Sequence, residues 1–188
     1  MDQSGGHSYL TRLQDEAYRG NAHVHWMMTI ENRRTGWLCK DFHSQFRETL
    51  THAAFRFGFC CPVYSLMPDH LHLLWVGWRE NSDQRMGVRF LRKHLNRILA
   101  ESGMKLQKQV YDNVLREKDR QRDAFPKVAW YIRANPLRAG LVNDEMGLSL
   151  YPFNGCLAPG YPELDINAVD YWPRFWRVFD YLARQARQ

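Results

Sequence analysis

Two apolar, β-prone runs, Phe59 to Leu66 (FCCPVYSL) and His70 to Val76 (HLHLLWV), are separated only by Met67-Pro68-Asp69. Proline fixes φ and aspartate can bond its own backbone, so the separator reads as a turn and the runs as a β-hairpin. On the N-terminal side, His23 to Ile30 (HVHWMMTI), bounded by Gly20-Asn21 and Glu31-Asn32, reads as a strand. Between it and the hairpin, Phe42, Phe46, Leu50, Ala53 and Phe57 fall on one helical face, with Asp41 a candidate N-cap and Gly58 where the helix would end.

After the hairpin, Ser82 to Ser102 carries an apolar stripe of Val88, Leu91, Leu95 and Ile98, with Arg85, Arg89, Arg92, Lys93 and Arg97 largely off it. Lys105 to Leu115 alternates as a fourth strand would, and Phe125 to Asn135 has helical periodicity up to Pro136. The order β-α-β-β-α-β-α is that of an α+β, ferredoxin-like antiparallel sheet with helices packed on it, expected here on one face. Gly147 to Pro173, rich in Gly, Pro, Tyr and Asn, reads as a loop, and Tyr171 to Arg187 as a last helix that docks on the core or on nucleic acid. The expected division is a polar arm over 1–20, a main domain over 21–150, and a loop plus helical tail over 151–188.

At 188 residues the chain suits one core with appendages and falls short of the roughly 200 residues a TIM barrel needs. An aromatic content of 14%, with seven Trp, excludes a disordered chain. Lys and Arg number 26 against 20 Asp and Glu, and a net charge of +6 fits a polyanionic partner such as nucleic acid. No apolar run approaches the ~18 residues of a membrane span, and the start lacks a signal-peptide stretch. No membrane partner is therefore expected, and a cytoplasmic location is. Cys39, Cys60, Cys61 and Cys156 form no CxxC pair and read as reduced, structural thiols.

His70 and His72 stand two apart on the second hairpin strand, so both imidazoles share a face and can point at one ion or phosphate. Two satisfied strand histidines would look the same. His23 and His25 repeat the spacing on the first strand and read as structural. The HxHxDH pattern of metallo-β-lactamases is broken by Leu73, Leu74 and Trp75, zinc-finger spacings are missing, and neither GxxxxGK[ST] nor GxGxxG occurs. A second signal is YIRANPLRAGLV, residues 131 to 142. Phe125, Val128, Ala129 and Ile132 form a buried stripe, while Lys127, Tyr131 and Asn135 line another face, with Asn135 one turn beyond the tyrosine. A helical tyrosine is more often a packing residue. Trp75, Trp78 and Trp130 either stack bases or fill the core. An RNP-like motif of an RNA-binding sheet is not evident.

Taken together, His70-Leu71-His72 inside MPDHLHLLW and YIRANPLRAGLV some sixty residues later resemble the single-tyrosine HUH transposases, specifically the REP-associated tyrosine transposases. The resemblance runs from about Ala17 to Leu150, includes VYDNVLRE at 110 to 117, and leaves the last forty or so residues uncovered. It implies an HUH transposase-like fold, His70, His72 and Asn135 as ligands of a divalent metal (Mg or Mn), and Tyr131 as nucleophile toward single-stranded DNA. The implied activity is a metal-dependent endonuclease and strand transferase that acts on hairpin-forming repeats through a 5′-phosphotyrosine. The alternative is a domesticated hairpin-binding protein without significant nuclease activity.

Further expectations complete this reading. Lys127 and Arg138 flank the scissile phosphate, Arg85, Arg89, Arg92 and Lys93 track the DNA backbone, and Asp69 orients a histidine. The protein works as a monomer or homodimer associated with the nucleoid. His70, His72, Tyr131 and Asn135 converge, while His23 and His25 show no comparable gathering of Tyr and Asn.

Overall fold

A computed structural model describes residues 13–187, so most of the expected N-terminal arm lies outside the described residues. The elements are β1 (His23–Thr29), α1 (Lys40–Phe57), β2 (Phe59–Leu66), β3 (His70–Gly77), α2 (Gln84–Ala100), β4 (Tyr111–Val114), α3 (Glu117–Arg120), α4 (Phe125–Arg133), α5 (Asn135–Arg138), α6 (Glu145–Ser149), β5 (Asn154–Leu157) and α7 (Tyr171–Gln185). The strands form one antiparallel sheet in the order β4-β1-β3-β2-β5. The fold is α+β, as the element order implied.

Helices cover both faces of the sheet rather than the single face expected. On one side Trp26, Met28, Leu73 and Trp75 pack against α1 and α2 through Phe46, Leu50, Leu91 and Leu95. On the other, Val63, Leu74 and Val76 meet Phe125 and Ile132 of α4 and Phe175 and Phe179 of α7. The cause lies in the central strands: β2 is buried at all eight positions, so neither of its faces can be left to water.

Local chemistry sets the boundaries. The N-cap of α1 is Cys39, not Asp41; its Sγ accepts a hydrogen bond from the Phe42 amide at 3.5 Å. The helix stops at Gly58, whose φ of 75° only glycine adopts freely, and a Cβ there would run into the side chains of Arg79 and Ser82. The fourth strand is far shorter than Lys105 to Leu115. Upstream of Tyr111, side chains of α2 take up backbone groups that a ladder would use: Asn96 accepts from the Leu106 amide at 2.7 Å and Arg92 donates to the Gln107 carbonyl at 3.1 Å. Only an isolated Ile30–Leu106 bridge remains.

The stretch 147–173, expected as a loop, contains β5, which pairs with β2 through Cys61–Leu157, Tyr64–Gly155 and Ser65–Asn154. The register of β2 shifts between Cys61 and Tyr64, which accommodates Pro62, a residue with no N–H to give the ladder. The Pro62 carbonyl instead accepts a 2.5 Å hydrogen bond from the buried Tyr171 hydroxyl, which fastens α7 to the sheet. No helix among the described residues is long and apolar enough to cross a membrane.

Candidate functional site

Strand alternation puts His70 and His72 on the face of the sheet that carries α4. The turn before them is pinned: the Trp37 indole donates to the Pro68 carbonyl at 2.5 Å and the Ile30 amide to the Asp69 carbonyl at 2.9 Å. Asp69 Oδ1 lies 2.5 Å from His70 Nδ1, and its Oδ2 accepts from Arg33 at 2.8 Å. Arg33 and Asn32 hold positive φ values of 49° and 57°, a conformation unfavourable for non-glycine residues, in the turn that carries Arg33 to Asp69. Burial alone would raise the Asp69 carboxyl, but the hydrogen bonds and charges of His70 and Arg33 outweigh it and hold the group below the ordinary carboxylate range.

His70 Nε2 and His72 Nε2 face each other at 3.0 Å. On the far side of His72, its Nδ1 lies 3.0 Å from His25 Nε2. His25, read from the sequence as a structural strand histidine, thus touches one of the proposed ligands. Because β1 pairs with β3 in the register Met27–His72 and His25–Leu74, His25 is the diagonal neighbour of His72 on one face. His23 does stand apart, bonded through Nδ1 to the Asn21 carbonyl at 3.1 Å and set edge-on against Phe125.

Burial pushes His25 down to about 4. The same cause brings His72 down to about 3, helped by His25, His70 and Arg138 and opposed by Asp69. Both rings are thus neutral at neutral pH, the form a metal requires of an imidazole. The spacing of the Nε2 pair fits as well, since two cis ligands about 2.1 Å from an octahedral ion stand roughly 3.0 Å apart. Among the described residues no group of three or more His, Cys, Asp and Glu side chains forms a candidate metal cage. A cation held by His70 and His72 would therefore complete its shell with an amide oxygen, phosphate or water.

The amide and the tyrosine sit where α4 breaks. Pro136 cannot supply the amide that the Ile132 carbonyl would accept, and the helix parts at Ala134 (ψ 1°) into α4 and α5. The Asn135 side-chain Nδ2 fills that role, donating to Ile132 O at 2.9 Å, which leaves Oδ1 as the atom able to meet a ligand. Tyr131 is 53% exposed, and its neighbour Trp130 is exposed too. The Arg138 guanidinium lies 4.2 Å from the centre of the Tyr131 ring while its charge also bears on His72. Lys127 is exposed on α4. Direct contact joins His70 to His72 and Arg138 to Tyr131, and the field of Arg138 links the two pairs. Asn135 shows no such contact with the histidines.

The basic residues of α2 belong to the opposite side of the sheet. Arg85, Arg89, Arg92, Lys93 and Lys108 line a pocket of about 230 Å³ with Trp26. Arg85 pairs with Asp15 and Arg92 ties α2 to Gln107, whereas Arg89 and Lys93 are exposed to solvent. Of the tryptophans, Trp75 is a core residue, stacked 3.9 Å from Phe59. Sequence reasoning missed His25 and Arg33; the repeated HxH on the first strand was the one available signal.

The class of fold is an α+β antiparallel sheet with helices on both faces, here with an HxH strand at its centre and an exposed tyrosine on a helix over the same face. The chain is similar in structure to a REP-associated tyrosine transposase solved bound to a REP hairpin, at a TM-score of 0.62 and 19% identity, covering 78% of this chain and 81% of that one. It is also similar to a bacterial tRNA(His) guanylyltransferase-like protein in complex with GTP, at a TM-score of 0.47 and 12% identity over 88% of this chain and 94% of that one. The assignment of fold rests on the first. No family model and no curated protein matches the sequence.

Proposed function

We propose that the protein is a metal-dependent single-stranded DNA endonuclease and strand transferase of the REP-associated tyrosine kind, acting on repeat hairpins. The observation that carries this is the outward-paired Nε2 atoms of His70 and His72, 3.0 Å apart, on the face overlain by the helix of Tyr131. His70, His72 and the Asn135 side chain would hold Mg²⁺ or Mn²⁺. When bound, that ion neutralises phosphate charge and polarises the phosphorus.

A phenol is a weak nucleophile near neutral pH, and the phosphodiester repels it. Arg138, stacked on the Tyr131 ring, addresses the second problem by bringing a cation to the phosphate, and Lys127 adds another from the tyrosine's own helix. Tyr131 Oη then attacks the phosphorus and the bond to the 3′ oxygen breaks. The phenol gives up its proton and the leaving 3′ oxygen takes one. The products are a 5′-phosphotyrosine and a free 3′-OH, so the phosphoester bond is conserved and the reverse step joins strands without ATP. Arg89 and Lys93 grip phosphates away from the scissile one, and exposed Trp130 offers a face for a base.

Hairpin binding without cleavage is the second reading, and one observation favours it: the Ile132 carbonyl accounts for Asn135 structurally, without a metal. Incubation with Mn²⁺ and labelled single-stranded hairpins from the repeats of the source genome separates the two. A covalent adduct that resists denaturation supports the transferase; tight binding with no adduct leaves the binding-only protein.

A further inference from the structure

We infer that His25 is a positioning residue for His72, holding the Nδ1 side of that ring so that Nε2 can turn its lone pair to a cation shared with His70. The inference rests on the proposed cation site. A ligating imidazole is oriented by whatever accepts the hydrogen of its other nitrogen, most often a carboxylate or a carbonyl. For His70 that acceptor is Asp69, 2.5 Å from Nδ1. For His72 the atom facing Nδ1 is His25 Nε2 at 3.0 Å, with ring centres 5.1 Å apart and tilted by 33°. The two histidines are thus steadied by different chemistry, one by an anion anchored by Arg33 and one by a neutral, half-buried ring. His23, two residues away on the same strand face, shows what a purely structural histidine does here: it bonds a backbone carbonyl and packs on Phe125.

Donor and acceptor bookkeeping gives the arrangement a consequence. With the three rings neutral, the His70 Nδ1–H donates to Asp69 and leaves His70 Nε2 bare. The 3.0 Å approach of the two Nε2 atoms then needs the hydrogen on His72 Nε2, which leaves His72 Nδ1 to accept from His25 Nε2–H. A cation that takes both Nε2 lone pairs reverses the last two links. His72 then carries its hydrogen on Nδ1 and donates to His25 Nε2, and the His25 hydrogen moves to its Nδ1. Cation loading therefore switches the tautomers of His72 and His25 together, with no net gain or loss of protons. A leucine at position 25 fills the space and cannot follow this switch.

Mn²⁺ binding to the full chain, followed by electron paramagnetic resonance without DNA, tests this on the wild type, His25→Leu and His25→Gln. His25→Leu is expected to weaken Mn²⁺ by about 10- to 100-fold, and His25→Gln, whose Oε1 accepts from His72 Nδ1–H, to recover most of the loss. In the wild type, ¹⁵N spectra of the histidine rings should move the His25 proton from Nε2 to Nδ1 as Mg²⁺ is added, a readout that needs no variant to fold. Wild-type affinity in His25→Leu, a glutamine no better than leucine, or an unmoved His25 tautomer overturns the inference and leaves the cation site standing. A wild type that binds no Mn²⁺ removes the site itself and this role with it.

Discussion

Tyr131 differs from the other tyrosines near the sheet in what surrounds its hydroxyl. Tyr64 is fully buried and desolvation pushes it up to about 12, and Tyr171 spends its hydroxyl on Pro62. Tyr131 is exposed and stacked by Arg138. Tyr131→Phe should abolish the covalent adduct while hairpin affinity, measured by gel shift or anisotropy, changes less than about twofold, because phosphate contacts elsewhere position the DNA. An adduct that persists would move the role to another tyrosine, Tyr111 first, since it is 41% exposed. Asn135 was legible because Pro136 marks where its helix must end. His25 was not, because whether two HxH strands bring their rings together depends on cross-strand register, which no local pattern encodes.

Phe125 is one of the residues that hold helix α4 to the sheet, with Ala129 and Ile132, and is fully buried between His23, Trp172 and Trp176. Phe125→Ala should cost about 3–5 kcal/mol of unfolding free energy, read from urea melts, and because it frees the element that carries Tyr131 it should also slow adduct formation. A variant with the lost stability but wild-type adduct kinetics would show that the tyrosine helix needs no seat on the sheet. The strong elements were readable from periodicity and from punctuation by Gly58, Pro68 and Pro136. β5 was not, because Asn154–Leu157 is four residues long inside a Gly- and Pro-rich stretch and is a strand only by virtue of β2 beside it. Nor was the second helical layer: the expectation of covers on one face overlooked that β2 has no face for solvent.

At the scale of the molecule, two histidines away from the His25–His72–His70 cluster set a pH dependence. Burial lowers His23 to about 4, with Arg120 adding to the effect and a hydrogen bond to Asn21 opposing it. Burial, then Arg47, lowers His43 to about 4 as well. Unfolded histidines titrate near 6.5, so between roughly 4 and 6.5 the unfolded chain binds more protons than the folded one, and stability falls as the pH falls through that window. The urea midpoint should drop from pH 7 to pH 4.5, and His23→Phe should flatten the slope; a midpoint constant over that range would contradict both assignments. Binding of single-stranded hairpins should weaken with salt at a slope of roughly −0.7 per phosphate contacted. Replacing Arg89 and Lys93 together should lessen that slope in a salt titration, and an unchanged slope would remove α2 from the interface.

The rim of the sheet bears on how copies of this chain can meet. β4 and β5 close the two sides with four residues each, flanking strands of seven and eight residues, and Lys105 and Lys108 lie just before β4. Open backbone donors and acceptors at a sheet border invite a neighbouring chain to zip on, and short borders beside lysines offer little to grip. Two copies meeting through their described residues would accordingly associate through helix surfaces rather than by extending the sheet across a shared seam, and among those residues high local concentrations would find no long, flat border from which to seed a fibril.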